Sequence, residues 1–345
     1  MITSGGARAF RPRLTVPSKR PRVWPGSGGV QIVRKDSLDA FGVVALFSVA
    51  LLLAFNQILV KWVNEGLQPV FFAGLRSALA VVFVALWLVW RGKGVRLRRE
   101  DILPGLVIGS IFAAEFLCLF LALDLTAVSR AAVIFYSMPV WFALLAHWLL
   151  PGERLNAVRS AGLVLAFTGT AWAILSRGNG GGGSLTGDLL ALIGAFCWAG
   201  TAIAARATRL REVGPEMQLF WMVLVSGPLL LLAAPAFGPL IRDVQPLHIV
   251  GLLFQSSIVV AGGFIGWLWL LSVYPVATVA SFSFLTPILS IFLGWLLFAE
   301  SVTLDLLAAA ALVGVGITLI NRRTPVGQES RTGHGKGEKD VSSYR

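Results

Sequence analysis

Along the middle of the chain the apolar residues neither alternate with polar ones nor return every three to four positions. They run almost unbroken for about twenty residues at a time, the length a helix needs to cross roughly 30 Å of hydrocarbon at about 1.5 Å per residue. Ten such runs can be marked: Phe41–Trp62, Pro69–Trp90, Ile102–Asp124, Arg130–Leu150, Val158–Ser176, Leu185–Arg206, Glu216–Ala234, Leu247–Ser272, Val276–Phe298 and Thr303–Asn321. The breaks between them hold glycine, proline or charge, as in RGKGVRLRRED, PGERLN, RGNGGGGS, RLREVGP and FGPLIRDVQP. The pattern predicts an all-α membrane protein with ten transmembrane helices. Residues 1–40 form a basic tail rich in Arg, Pro and Gly, without a signal-peptide core before Leu38. Residues 322–345 form a polar tail, and both tails are expected to be disordered.

The runs fall into two groups, residues 41–176 and 185–321, joined by a Gly-rich link at 177–184. LDLTAVSRAAVIFYSMPVWFALLAHWLLPGERL in the first group is echoed by LSVYPVATVASFSFLTPILSIFLGWLLFAESV in the second. Pro139 aligns with Pro287, Glu153 with Glu300 and Gly169 with Gly316, a repeat of about 147 residues that contains five spans. Five is odd, so the second unit must enter the bilayer upside down. The expected fold is therefore two inverted five-helix repeats, a recurring design of secondary transporters, with the substrate held between the halves.

Composition agrees with a lipid-facing surface. Hydrophobic residues make up 56 % of the chain and charged ones 13 %, against about 25 % charged in a soluble domain. The net charge of +12 does not point to nucleic acid, because the basic residues sit in the tails and in short loops. With the N-terminus inside, the inner segments hold about 24 Lys and Arg, whereas the outer side has Lys61, Arg130, Arg177 and Arg242. Both termini are expected on the cytoplasmic side of the plasma (inner) membrane. Cys118 and Cys197 lie within apolar runs and read as small buried residues. His147, His248 and His334 form no metal-ligand spacing. The glycine run Gly178–Gly183 matches a dinucleotide pattern only formally, since no strand precedes it, and no Gly-Lys-Ser/Thr phosphate loop is present.

These features together resemble a known family. Ten spans in two halves, with RAAVIFYSMPVWFALLAHWLLPGERL and SFLTPILSIFLGWLLFAE closing the fourth and ninth, are similar to EamA-type permeases of the drug/metabolite transporter superfamily. The resemblance covers roughly residues 40–321 and makes the two groups EamA-like repeats. It implies export or exchange of small metabolites, amino acids or drug-like compounds. It also implies a central cavity lined mainly by spans one, three, four, six, eight and nine.

A charge in the middle of a bilayer costs roughly 2.5–3.5 kcal/mol on insertion scales and calls for a partner or a function. Counting about 1.5 Å per residue places Asn56, Arg76, Glu115, Tyr136 and Gln255 in one layer, about 8–12 Å below the outer face. Arg76 and Glu115 are expected to form an ion pair facing a cavity shared with the other three. The pair either contacts substrate or a coupling proton, or pins spans two and three together. Gly263 aligns with Glu115 and Trp221 with Arg76, so the charges break the repeat symmetry. Trp198 and Trp267 fall deep enough for one of them to stack on a substrate cation, with helix packing as the alternative. Pro139 and Pro287 are expected to kink their spans, and Glu153 and Glu300 to act at span ends in turns, caps or gates. Lys61 and Arg130 are expected to snorkel to the interface, and His147 to hydrogen-bond there. Gly105/Gly109 and Gly262/Gly266 are expected to admit close neighbours to spans three and eight. The expected partners are a small-molecule substrate, the lipid bilayer and a coupling proton, with no nucleic acid, metal or other cofactor. The chain is compatible with a monomer or a homodimer. Two rival readings are a membrane-embedded enzyme acting on lipid or prenyl substrates and a scaffold that transports nothing.

Overall fold

The computed structural model describes residues 39–150, 155–176, 183–274, 279, 282 and 284–321. The expected tails, Glu153, most of the Gly-rich link and the start of the ninth run lie outside these residues. Nine of the described helices, two of them interrupted, are long and apolar enough to cross a bilayer. The first three spans are α1 (Ala40–Gly66), α2 (Pro69–Trp90) and α3 (Arg99–Leu125). The fourth is broken into α4 (Val128–Phe135) and α5 (Met138–Leu149), and the fifth and sixth are α6 (Ala157–Leu175) and α7 (Leu185–Ala207). The seventh is α8 (Pro215–Ala233), and the eighth runs through α9 (Pro246–Phe254), a π-helical segment Gln255–Gly263 and α10 (Phe264–Val273). The ninth run is represented by α11 (Leu285–Phe298) and the tenth by α12 (Leu304–Asn321). No strand occurs among the described residues beyond one isolated bridge, Leu67 to Ile241.

The helices begin where the sequence supplies a side-chain acceptor. Asp39, Gln68, Asn156 and Ser184 accept from the backbone N–H groups of Gly42, Phe71, Arg159 and Gly187. Each satisfies a donor that the first helical turn leaves free, which matters most where lipid offers no replacement.

The packing is that of inverted repeats. The fifth span packs on the tenth, the second on the seventh and the fourth on the ninth, so each meets its own counterpart. The third span also packs on the sixth and seventh, and the first on the ninth. At the α6–α12 contact, a Cβ on Gly162 would lie 2.5 Å from the Gly316 carbonyl, and one on Gly169 would lie 2.7 Å from that of Ala309. Rising along α6 means descending α12, and the repeat spacing of about 147 residues carries one contact onto the other. Glycine is required here because no side chain fits between the two backbones.

Gly105 and Gly109 likewise let α3 approach α8, lying beneath Trp221 and Val225. The expected equivalent on the eighth span is not found. A Cβ on Gly262 would meet only its own helix, and one on Gly266 would meet nothing within 4 Å.

Candidate functional site

Glu115 and Arg76 are both buried, at 3 % and 2 % exposure, but the expected ion pair is not formed. The Glu115 carboxylate accepts a hydrogen bond from the Thr201 hydroxyl on α7 at 3.2 Å. The Arg76 guanidinium instead lies over the ring of Phe116, 3.9 Å from its centroid, with Phe120 5.1 Å away. Glu115 and Phe116 are adjacent on α3 and point about 100° apart around the helix, so an arginine seated on the ring is turned from the carboxylate.

The other residues of the predicted layer form two groups. Gln255 is fully buried and donates from Nε2 to the Asn56 carbonyl at 3.2 Å, linking the eighth span to the first. It opens the π-helical segment, and such segments occur mainly at functional sites because the wider turn re-aims side chains. Tyr136 and Trp198 meet edge to face at 5.6 Å, while Trp198 stacks on Phe135 at 5.0 Å. This aromatic wall stands beside Glu115, with Gly194 packed against both Phe135 and the Glu115 carbonyl. Trp267 lies apart, in a satellite apolar cluster with Leu46 and Leu270. Several buried oxygens on the first and eighth spans have no partner within the protein, among them Asn56 Oδ1, Gln57 Oε1 and Gln255 Oε1.

Each of the two prolines opens a helix. Pro139 sits in the first turn of α5, and the helix is interrupted at Tyr136 and Ser137. The Ser137 hydroxyl donates to the Ile134 carbonyl at 2.6 Å and accepts from Trp141 Nε1 at 3.0 Å, so the break is internally satisfied. Pro287 occupies the first turn of α11.

The span ends around Lys61, Arg130 and Glu300 are tied together, and here the sequence misleads most. Arg130 does not snorkel. It is buried at 5 % exposure, pairs with Asp188 at 2.7 Å, and donates to the Ala173 and Ser176 carbonyls. Asp188 also accepts from the Thr126 hydroxyl. Lys61 turns inward as well, donating to the Thr126 carbonyl at 2.8 Å. The Glu300 carboxylate accepts from the backbone N–H groups of Val128 and Ser129, at 2.6 and 2.9 Å, and from the Ser129 hydroxyl. It thereby caps α4 from the ninth span, where the helix dipole favours an anion. Ala299 reaches this turn with a left-handed φ of 50°, and Gly294 leaves room, since a Cβ there would lie 2.6 Å from Glu300 Oε2. Arg242 forks onto Asp124 at 2.7 and 2.9 Å, and the carboxylate holds the guanidinium above its ordinary pKa.

At the opposite ends of the spans Lys93 pairs with Glu216 at 2.9 Å and Arg209 with Glu100. These residues edge a pocket of about 410 Å³ between the α2–α3 and α7–α8 connections. His147 accepts from the Leu155 N–H at 3.3 Å, the interfacial bond expected of it. The partners of Arg130 and Glu115, namely Asp188 and Thr201, were not singled out in the sequence. Asp188 was detectable as an acid in the first turn of the sixth span, at the outer level of Arg130, whereas nothing marked Thr201 among the other small residues of α7.

No group of three or more His, Cys, Asp or Glu that could hold a metal occurs among the described residues. The arrangement instead offers hydrogen-bonding and charged groups between helices of both repeats, which is a means of holding a polar solute within a bilayer.

Comparison with known proteins agrees. The model of the EamA-like transporter family matches twice, over residues 40–175 and 185–322. A protein of Bacillus subtilis named "Uncharacterized transporter YvbV" is 31 % identical over 80 % of this chain and 92 % of its own length. A "Probable amino-acid metabolite efflux pump" of Escherichia coli is 25 % identical over 82 % of this chain and 94 % of its own length. A solved crystal structure at 22 % identity superposes with a TM-score of 0.58, covering 81 % of this chain and 97 % of that one, and so shares the fold.

Proposed function

We propose a secondary exporter working by alternating access for this chain, which belongs to the EamA-like transporter family and is a multi-pass membrane transporter of small solutes. It acts in the plasma (inner) membrane with both termini in the cytoplasm, the sense that the Lys and Arg distribution favours. The solute is a small metabolite, amino acid or drug-like compound, and relatives named as amino-acid metabolite efflux pumps support the amino-acid end of that range.

The observation that carries the reading is a buried acid at the junction of the two repeats. Glu115 on α3 bonds to Thr201 on α7, beside the aromatic wall of Phe135, Tyr136 and Trp198. A carboxylate so placed receives a cationic or amino group, or the coupling proton, while Asn56 and Gln255 hold the first and eighth spans in register. The tied outer ends describe a state closed to the outside. Release of the Glu300 cap on α4 opens the opposite state, with the breaks before Pro139 and Pro287 as the bending points.

The test is a solute screen in proteoliposomes with and without a proton gradient, comparing wild type with Glu115→Gln. Gradient-dependent uptake that falls about tenfold or more in Glu115→Gln is expected, since a buried hydrogen bond to a charge contributes about 1.5–3 kcal/mol. Undiminished transport by the variant removes Glu115 from the mechanism, and failure of every solute to move sinks the exporter reading.

A further inference from the structure

Resting on the transporter reading above, we propose that Arg76 is the recognition group for a carboxylate on the transported solute. Its guanidinium is buried at 2 % exposure within the layer where the solute is held. Arginine keeps its charge in proteins and must find acceptors for its N–H groups wherever it is buried. Arg76 has only part of this. The Phe116 ring covers one face of the guanidinium plane, 3.9 Å away, and stabilises the charge through its π system. The edge is left over, for neither Nε nor Nη2 meets an acceptor within the protein.

These two nitrogens share one edge of the fork, and their N–H bonds run parallel. That is the geometry that receives the two oxygens of a carboxylate side by side. The obvious internal acceptor, Glu115, is committed to Thr201 and does not reach the arginine. The unmatched groups on the first and eighth spans are oxygens, Asn56 Oδ1, Gln57 Oε1, Asn64 Oδ1 and Gln255 Oε1. Unlike Arg76, they call for donors. A solute with a carboxylate at one end and N–H or O–H groups nearby satisfies both sets. The ring beneath the guanidinium also fixes its plane, so the fork is pre-oriented before the solute arrives.

The experiment measures binding and transport separately. Purified full-length protein in detergent is titrated with a panel of amino acids, 2-oxo acids and aromatic carboxylates, each paired with its amide and set beside inorganic phosphate. Binding is read from the thermal unfolding midpoint, and the same compounds are assayed for uptake in proteoliposomes. At least one acid is expected to bind about tenfold or more tightly than its amide, as loss of a charge-assisted bidentate contact implies. Arg76→Gln should abolish that preference. Arg76→Lys, which keeps the charge and loses the fork, should retain a weaker one, so a folding failure in the first variant does not spare the proposal. No acid favoured over its amide, an equal response to phosphate, or a wild-type preference surviving in Arg76→Gln each overturns the assignment. Carboxylate-selective binding without uptake sinks the exporter reading and leaves the Arg76 site standing.

Discussion

The half of the bundle that carries Lys61 and Arg130, the predicted outer half, and the opposite, predicted inner half are built differently from the same spans. All eight residues of α4, the outer half of the fourth span, are buried, whereas α5, its inner half, buries only Val140 and Ala146. On α1 the buried residues of the inner part are Gly42, Leu46 and Ala50, a single stripe four residues apart. From Ala54 outward nine residues are buried on all sides, including Asn56, Gln57 and Asn64. The outer half is also where charged groups are paired out of solvent, while the inner ion pair Arg209–Glu100 is about 62 % exposed. The difference teaches which side is held and which is free. The Arg130 half rests on groups that lose much if their partner is removed, and the contacts of the opposite half can be exchanged for water at little cost.

The most severe way to break this contrast is to unpair a buried charge. Arg130→Met breaks the buried pair with Asp188 among α4, α6 and α7, and about 3–5 kcal/mol of stability should be lost. A large fall in the thermal unfolding midpoint and in folded yield is expected, and restoration by the double variant with Asp188→Leu would tie the loss to the broken pair. Next in size is Glu300→Gln, which removes the charged cap on α4 and should cost about 1–2 kcal/mol. Because the cap joins the ninth span to the fourth, the effect should appear as opening. A cysteine placed at Asn64 should react with a membrane-impermeant thiol reagent on the outside about tenfold faster in the Glu300→Gln background. An unchanged rate would mean that the cap is not a latch.

Smaller effects follow from exposure. Arg242 and Asp124 form a bidentate but partly exposed pair, so Arg242→Ala should cost about 1 kcal/mol or less, with the difference shrinking at high salt. Lys93→Ala on the inner face should be nearly silent, within about 0.5 kcal/mol, because Lys93 is half exposed. If the inner variant were as damaging as the outer ones, the two halves would be equally tied and the contrast would fail.

Much of this was legible in the chain itself. Span positions follow from apolar length, and inversion follows from an odd number of spans in a repeat, later visible in the antiparallel glycine contact of α6 with α12. The polar residues within the spans were legible too, and rise per residue assigns each a depth. The pairings within it were not. Depth puts Arg76 and Glu115 at one level but says nothing of the angle around each helix, and that angle sends one to Phe116 and the other to Thr201. The same blindness hid the inward turn of Lys61 and Arg130, because a long cationic side chain near a span end can reach water or a neighbouring carbonyl with equal ease.

What the sequence determined alone was one-dimensional: where the apolar spans lie and that they form two copies of one unit. Burying apolar length in lipid is a local demand that each segment meets by itself. The tertiary structure decided the chemistry, because partners such as Glu300 and Val128 stand far apart in the chain, and only the packing of the two repeats brings carboxylate and helix end together.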